Sequence, residues 1–261
     1  MSLDDFLRMG NEERSYSDIA TVNLLSAQGL PGAEDIDVQQ QLSTLEEWAE
    51  LVESETERLF PLFYNKPKEF SYSEGYFRTL VLVTVLSRNL GVSYNSDLIS
   101  EPSVVDLQST AFFRNSENIF IHGIIAGKPG TCTSIPVLTV AVGRLLGYPL
   151  RLVNAKAHLF ARWDGVKERF NVENTGHGLS CHPDEHYLQW PFEITADELA
   201  TGYFLQSLSP AEEMAMFLEI RAACLLENKQ PDKARKFFEY AYSLYPSHPY
   251  LKGYIESLSE M

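Results

Sequence analysis

The stretch Gly130-Thr131-Cys132-Thr133-Ser134-Ile135-Pro136, continued by an apolar run to Gly147, decides how this chain is read. Gly127-Lys128-Pro129-Gly130 breaks the preceding chain, and the residues from Thr133 to Leu146 are almost all apolar. A helix of that composition has no polar face to offer water, so it belongs at the centre of the molecule. Gly147 is its expected C-terminal cap, with Pro149 just beyond. Cys132 is thereby delivered to the first turn of a buried helix, where unpaired backbone N–H groups and the helix dipole favour thiolate over thiol. A buried cysteine in an apolar helix is also often a small core residue. Cys132 alone leaves both readings open. Cys224, mid-helix among Ala222, Ala223 and Leu225, reads as plain packing.

Downstream the periodicity changes to that of strands. Leu150-Arg151-Leu152-Val153 and His158 to Trp163 form two, and Asp164-Gly165 reads as a hairpin turn into Glu168 to Glu173. That turn sets residues 158–161 opposite residues 168–171, with Glu173 near the level of His158, allowing a slip of one or two positions. Cysteine, histidine, then carboxylate, in helix–strand–strand order, suits nucleophilic thiol chemistry. His158 would withdraw the thiol proton and later protonate a leaving amine. Glu173 would accept a hydrogen bond from the other ring nitrogen and fix its tautomer. The Cys132 N–H would face a developing oxyanion. The plainer alternatives are a satisfied structural histidine at His158 and a solvated edge-strand carboxylate at Glu173.

The loop from Gly176 to Pro191 holds His177, Cys181, His182 and His186, residue types that zinc accepts at short spacing. Pro183-Asp184-Glu185 interrupts them and there is no second cysteine pair, so a polar loop is the expectation, with no metal and no cofactor.

The balance of 21 basic against 36 acidic residues, a formal −15, argues against attraction to nucleic acid or to an anionic membrane. The acidic start Met1-Ser2-Leu3-Asp4-Asp5 does not read as a signal peptide. The longest apolar run, Leu80 to Leu86, falls far short of the roughly 20 residues that span a bilayer. Three scattered cysteines suggest no disulfide framework and fit a reducing cytoplasm.

The N-terminal half reads helical. A helix is expected over Leu42 to Phe60 with Ser43 and Glu46 as a capping box, and another from Ser71 with Glu74 to Asn89, burying Phe77, Leu80, Val81, Thr84 and Val85. Asn23 to Ala27 reads as a short helix ended by Gly29 and Pro31, and Pro102 to Asn118 as a loop over or beside a site. Thr195 and Glu198 look like a further capping box. Ser209-Pro210-Ala211-Glu212 starts a fresh helix and marks a domain boundary, giving domains 1–208 and 209–261. Helices Ala211–Glu227 and Pro231–Tyr245 have the spacing of one tetratricopeptide-type hairpin, which needs another surface to cover its second face. The class is α+β.

Taken together, the Gly-Thr-Cys helix start, Ala157-His158-Leu159-Phe160-Ala161-Arg162 and Asn171-Val172-Glu173-Asn174-Thr175 resemble the core of the transglutaminase-like superfamily. More narrowly the chain resembles a bacterial subfamily, often called SirB-type, which joins that core to a C-terminal tetratricopeptide-like hairpin. Gly29-Leu30-Pro31-Gly32, Phe120-Ile121-His122-Gly123 and Gly143-Arg144-Leu145-Leu146-Gly147-Tyr148-Pro149-Leu150 add to the likeness, which covers roughly residues 20 to 250. The resemblance implies a papain-like arrangement with Cys132 as nucleophile, His158 as base and Glu173 as orienting acid, acting on a protein or peptide amide through a thioester. Where many superfamily members carry Asp-Pro-Thr, this chain has Glu173-Asn174-Thr175. The superfamily also contains inactive members, and the second expectation is a binding module whose hairpin presents Tyr240, Tyr242, Tyr245 and Tyr250 to a protein partner.

Overall fold

The computed structural model describes residues 2–9, 17–98, 110–176 and 178–259. Its N-terminal half is helical. Helix α1 (Leu3–Arg8) is closed by a reciprocal Ser2–Asp5 capping box, and α2 (Ile19–Ala27), capped by Asp18, is buried along nearly its whole length. Helix α3 (Val38–Asn65) buries Leu45, Ala49, Val52 and Thr56 on one face. It starts before the expected Ser43–Glu46 box. The Asp37 carboxylate takes the Gln39 and Gln40 N–H groups, and the polar first turn has no apolar periodicity to announce it.

Helix α4 (Glu74–Thr84) runs on through a π-turn at Val85–Asn89. Ser73, not Ser71, is its cap; Ser71 and Tyr72 are left-handed, with φ of 54° and 58°. Phe77, Val81 and Val85 are buried as expected, but Leu80 and Thr84 are only partly covered while Thr79, Leu82, Val83 and Leu86 are buried. Helix α5 (Ile121–Ile125) carries Gly123 hard against the preceding turn. A Cβ there would lie 2.1 Å from the Glu117 carbonyl oxygen, a backbone atom that cannot swing aside. Gly123→Ala is therefore expected to lower the unfolding free energy by about 1–3 kcal/mol in a urea titration, and unchanged stability would contradict this packing. The expected loop Pro102 to Asn118 lies outside the described residues over 102–109, and its remainder forms 3₁₀ turns at Thr110–Phe113 and Ser116–Asn118.

The apolar run after Cys132 becomes α6 (Ser134–Leu145), buried continuously from Ser134 to Gly143 and ended at Gly147, whose φ is 73°. It packs on α2, α3, α4 and α5 and on an antiparallel sheet of order β1-β2-β3, made of β1 (Leu150–Ala155), β2 (His158–Asp164) and β3 (Arg169–Val172).

The observed register corrects the expected one. Ala161 faces Val172 and Asp164 faces Arg169, so residues 158–161 do not oppose 168–171. The turn is not closed at Asp164-Gly165. Gly165 N–H bonds the Glu168 carbonyl at 3.1 Å, and the Glu168 carboxylate accepts from Ser73 Oγ and from Gly75 N–H. Glu168 thus belongs to a longer loop that ties the sheet to the start of α4. Continuing this register sets Glu173 across from Phe160, a diagonal neighbour of His158 on the same face.

Beyond the sheet come α7 (Asp184–Tyr187) and α8 (Ala196–Ala200), the latter opened by the Thr195–Glu198 capping box expected from sequence. Helix α9 (Pro210–Glu227) starts with the Ser209–Glu212 box and Pro210, and forms a helical hairpin with α10 (Pro231–Leu244). A further helix, α11 (Leu251–Ser259), packs on α10; its short, mostly polar run gave little signal. One face of α9 lies on α2, where Arg221 Nη1 donates to the Ser26 and Gln28 carbonyls at 2.8 and 2.9 Å. Arg144 on α6 makes a two-pronged bond to the buried Glu213 carboxylate, at 2.8 and 2.6 Å. Apolar packing is continuous from the N-terminal helices through α6 into the hairpin. The class is α+β, and no helix among the described residues is long and apolar enough to cross a membrane.

Candidate active site

Cys132 sits where the chain enters α6, fixed by its neighbours rather than by its own side chain. Thr131 is fully buried: its N–H donates to Ser134 Oγ at 3.0 Å, and its hydroxyl donates to the Asn118 carbonyl at 2.8 Å and accepts from Thr133 N–H. Ile135 N–H bonds the Thr131 carbonyl at 3.0 Å, so the first hydrogen-bonded turn encloses Cys132 although the regular helix begins at Ser134. Gly130 bridges in parallel to Tyr94. Its N–H bonds the Ser93 carbonyl and its carbonyl takes Asn95 N–H, both at 2.8 Å. A Cβ at Gly130 would come within 2.7 Å of Ile124 and Ile135, so glycine here lets the loop lie against α5 and α6.

The Cys132 side chain is half-buried and interacts with the His158 ring, which stands at the start of β2. His158 Nε2 lies 2.6 Å from Glu173 Oε2, and both residues are only 8% exposed. Nε2 being engaged by the carboxylate, Nδ1 is the nitrogen left for the thiol. Glu173 is held in turn. Its Oε1 takes Thr175 N–H at 3.0 Å and the Thr175 hydroxyl at 2.5 Å, while Tyr187 Oη–H points to Oε2 at 3.4 Å. Its backbone pairs with Ser180 in both directions. This short bridge lies just past the end of β3.

Burial works against a charge on His158, yet its interactions with Cys132 and Glu173 prevail and raise its pKa from 6.5 to about 9. Burial likewise opposes the Glu173 charge, and the His158 and Thr175 hydrogen bonds override it, holding that carboxyl below its ordinary range. The imidazolium–carboxylate pair is therefore the favoured state at neutral pH. By contrast desolvation by the surrounding chain pushes the thiol of Cys181 up to about 11 although the residue is exposed, and burial pushes Cys224 up to about 12.

An aromatic wall supports the histidine. Trp190, 40% exposed, meets the His158 ring edge-on at 4.7 Å, and Tyr187 stacks on Phe160 at 4.0 Å. The loop bearing Trp190 and Tyr187 is anchored by Arg162, which is 1% exposed. Arg162 Nε donates to Asn171 Oδ1 at 2.7 Å, Nη1 to the Leu205 carbonyl at 3.0 Å and Nη2 to Asp184 Oδ1 at 2.6 Å. Asn171 Nδ2 donates to the same Asp184 oxygen and to the His182 carbonyl. Beside this network is an open hollow of about 380 Å³ lined by Arg162, Arg169, Phe170, Cys181 and His182; neither Cys132 nor His158 lines it.

His158 and Glu173 are thus brought together, with the Cys132 side chain as a further interaction partner of the His158 ring. Of the loop candidates, His177 lies outside the described residues. His182 and His186 stack at 4.2 Å and Cys181 is exposed, but among the described residues no three ligating side chains converge as for a metal. Of the four tyrosines, Tyr245 is buried, Tyr240 and Tyr242 pack against the core and Tyr250 is exposed at its margin. Sequence reasoning missed Arg162, for which an arginine in an otherwise apolar, aromatic strand was the available signal. No family model, curated protein or solved structure matches this chain.

Proposed function

We propose that the chain is a cysteine-dependent acyl-transfer enzyme of the transglutaminase-like kind, with Cys132 as nucleophile, His158 as base and Glu173 as orienting acid. The observation that supports this most is the buried 2.6 Å His158–Glu173 pair with the accessible Cys132 side chain as the ring's other partner. His158 Nδ1 carries the proton that Cys132 has given up, and the sulfur attacks an amide carbonyl. As the C–N bond breaks, the imidazolium returns that proton to the leaving amine, leaving a thioester on Cys132. Water, activated by the now neutral His158, releases the acid; an amine in its place would give a new amide. The substrate class is a protein or peptide amide. Helices α9 and α10 are read as the tetratricopeptide-like hairpin appended at residue 209, packed inward with most of its candidate tyrosine anchors engaged.

Iodoacetamide near neutral pH is expected to label Cys132 at least about tenfold faster than Cys181, although Cys181 is the more exposed thiol. Comparable rates for the two in the folded protein would overturn the reading. Quenched peptide and amide substrates should be turned over by the native chain and not by Cys132→Ala.

A further inference from the structure

The outer edge of β3 is only partly used. Just past its end, the Glu173 N–H and carbonyl pair with Ser180 at 2.9 and 2.8 Å, on the side away from β2. Backbone groups of alternate residues in a strand point the same way, so Asn171 and Arg169 also turn their N–H and carbonyl outward. Phe170 and Val172 face β2. Pairing stops after Ser180 because Pro183 has no N–H and leads into α7. Where a further backbone bond would lie, the Asn171 side-chain amide donates to the His182 carbonyl at 2.9 Å. Among the described residues, no backbone group meets Asn171 or Arg169 on this side. The open hollow of about 380 Å³ lies against them, walled opposite by the segment from Cys181 to Asp184. Its cations are the buried Arg162, bonded to Asp184, and Arg169, whose half-exposed head has its Asp164 partner outside the lining. Two guanidinium groups against one carboxylate make this a locally positive place on a chain of formal charge −15.

We infer that this edge binds an extended acidic segment of another polypeptide, which joins the sheet as a fourth strand beside β3. The segment's carbonyls accept from the Asn171 and Arg169 N–H groups, and its own N–H groups donate to their carbonyls. Arg162 and Asn171 are register partners, so residues of the segment opposite Asn171 and Arg169 project on the Arg162 face, where a carboxylate meets the two guanidinium groups. Residues between them project on the Phe170 face, where a branched apolar side chain packs. The site does not depend on the acyl-transfer reading, since neither Cys132 nor His158 lines the hollow.

The probe is the peptide fluorescein-Gly-Val-Glu-Val-Glu-Val-amide, followed by anisotropy with the full chain. Methylating its two Glu backbone nitrogens, which face β3, should abolish binding; methylating the Val nitrogens should change it by no more than about threefold. Saturating peptide should slow amide hydrogen exchange at Arg169 and Asn171 at least about tenfold, with no comparable change at Phe170 and Val172. Arg169→Glu, at a side chain outside the core, should weaken the Glu peptide about three- to tenfold and strengthen its Lys counterpart. No binding, equal binding of the two methylated forms, or protection of neither amide would overturn the inference. Protection of both amides that rises with protein concentration in the absence of peptide would assign the edge to a second copy of the chain, and would overturn it too.

Discussion

Glu173→Gln is expected to leave the fold intact and to slow the reaction of Cys132 with amide substrates about 10²- to 10⁴-fold at neutral pH. The substitution keeps the shape and the acceptor for Thr175, but its amide donates to His158 Nε2 where the carboxylate accepted. The imidazole is then forced to carry its proton on Nδ1, facing the thiol, and cannot withdraw the thiol proton. One of the causes that raises His158 to about 9 is removed with the charge.

The same pair gives a pH signature. A raised histidine contributes stability in full below its ordinary 6.5 and loses it as pH climbs through about 9. A depressed carboxyl contributes above its ordinary 4.5 and loses it as pH falls through its lowered value. The stability gap between native chain and Glu173→Gln should be widest between 4.5 and 6.5 and narrow toward pH 9. Denaturant titrations across that range that gave a constant gap, together with undiminished Cys132 reactivity, would remove Glu173 from the site.

The largest loss of stability is expected for Arg162→Met. The guanidinium is buried and shared among the Asn171 side chain, the Leu205 carbonyl and Asp184, so methionine fills the volume but leaves Asn171 Oδ1 and the Leu205 carbonyl without their donor and Asp184 Oδ1 with the Asn171 amide in place of two donors. Removing one member of such a buried network costs about 3–5 kcal/mol, equivalent to a fall of about 10 °C in Tm. Asp184→Asn, at a half-exposed carboxylate, should cost far less. The loop carrying Tyr187 and Trp190 hangs on this network, so Arg162→Met should also loosen the wall behind His158. A Tm within a few degrees of native would show that the arginine is replaceable by packing.

Much of this was legible because burial leaves a strong mark on composition. The unbroken apolar run from Thr133 foretold a central helix, the alternating segments from Leu150 foretold a sheet, and chain order alone grouped Cys132, His158 and Glu173. Starts and registers were less legible because polar side chains serve equally as caps, turn formers and long-range ligands. Ser71 and Ser43 look like caps as good as Ser73 and Asp37 until the backbone angles are known. Glu168 looked like a strand residue because its true partners, Ser73 and Gly75, lie far away along the chain. Arg162 shares that property: it acts through residues that only the fold makes its neighbours.

Arg221 reaches from α9 to two carbonyls at the end of α2, and Glu213 from α9 to Arg144 on the cysteine helix. The last fifty or so residues therefore clasp the first thirty across the interior rather than trailing from a finished unit. The hairpin and the helix and sheet that carry Cys132, His158 and Glu173 are therefore expected to melt together, and a chain cut at the Ser209 boundary to yield not two folded pieces but an exposed apolar seam on each.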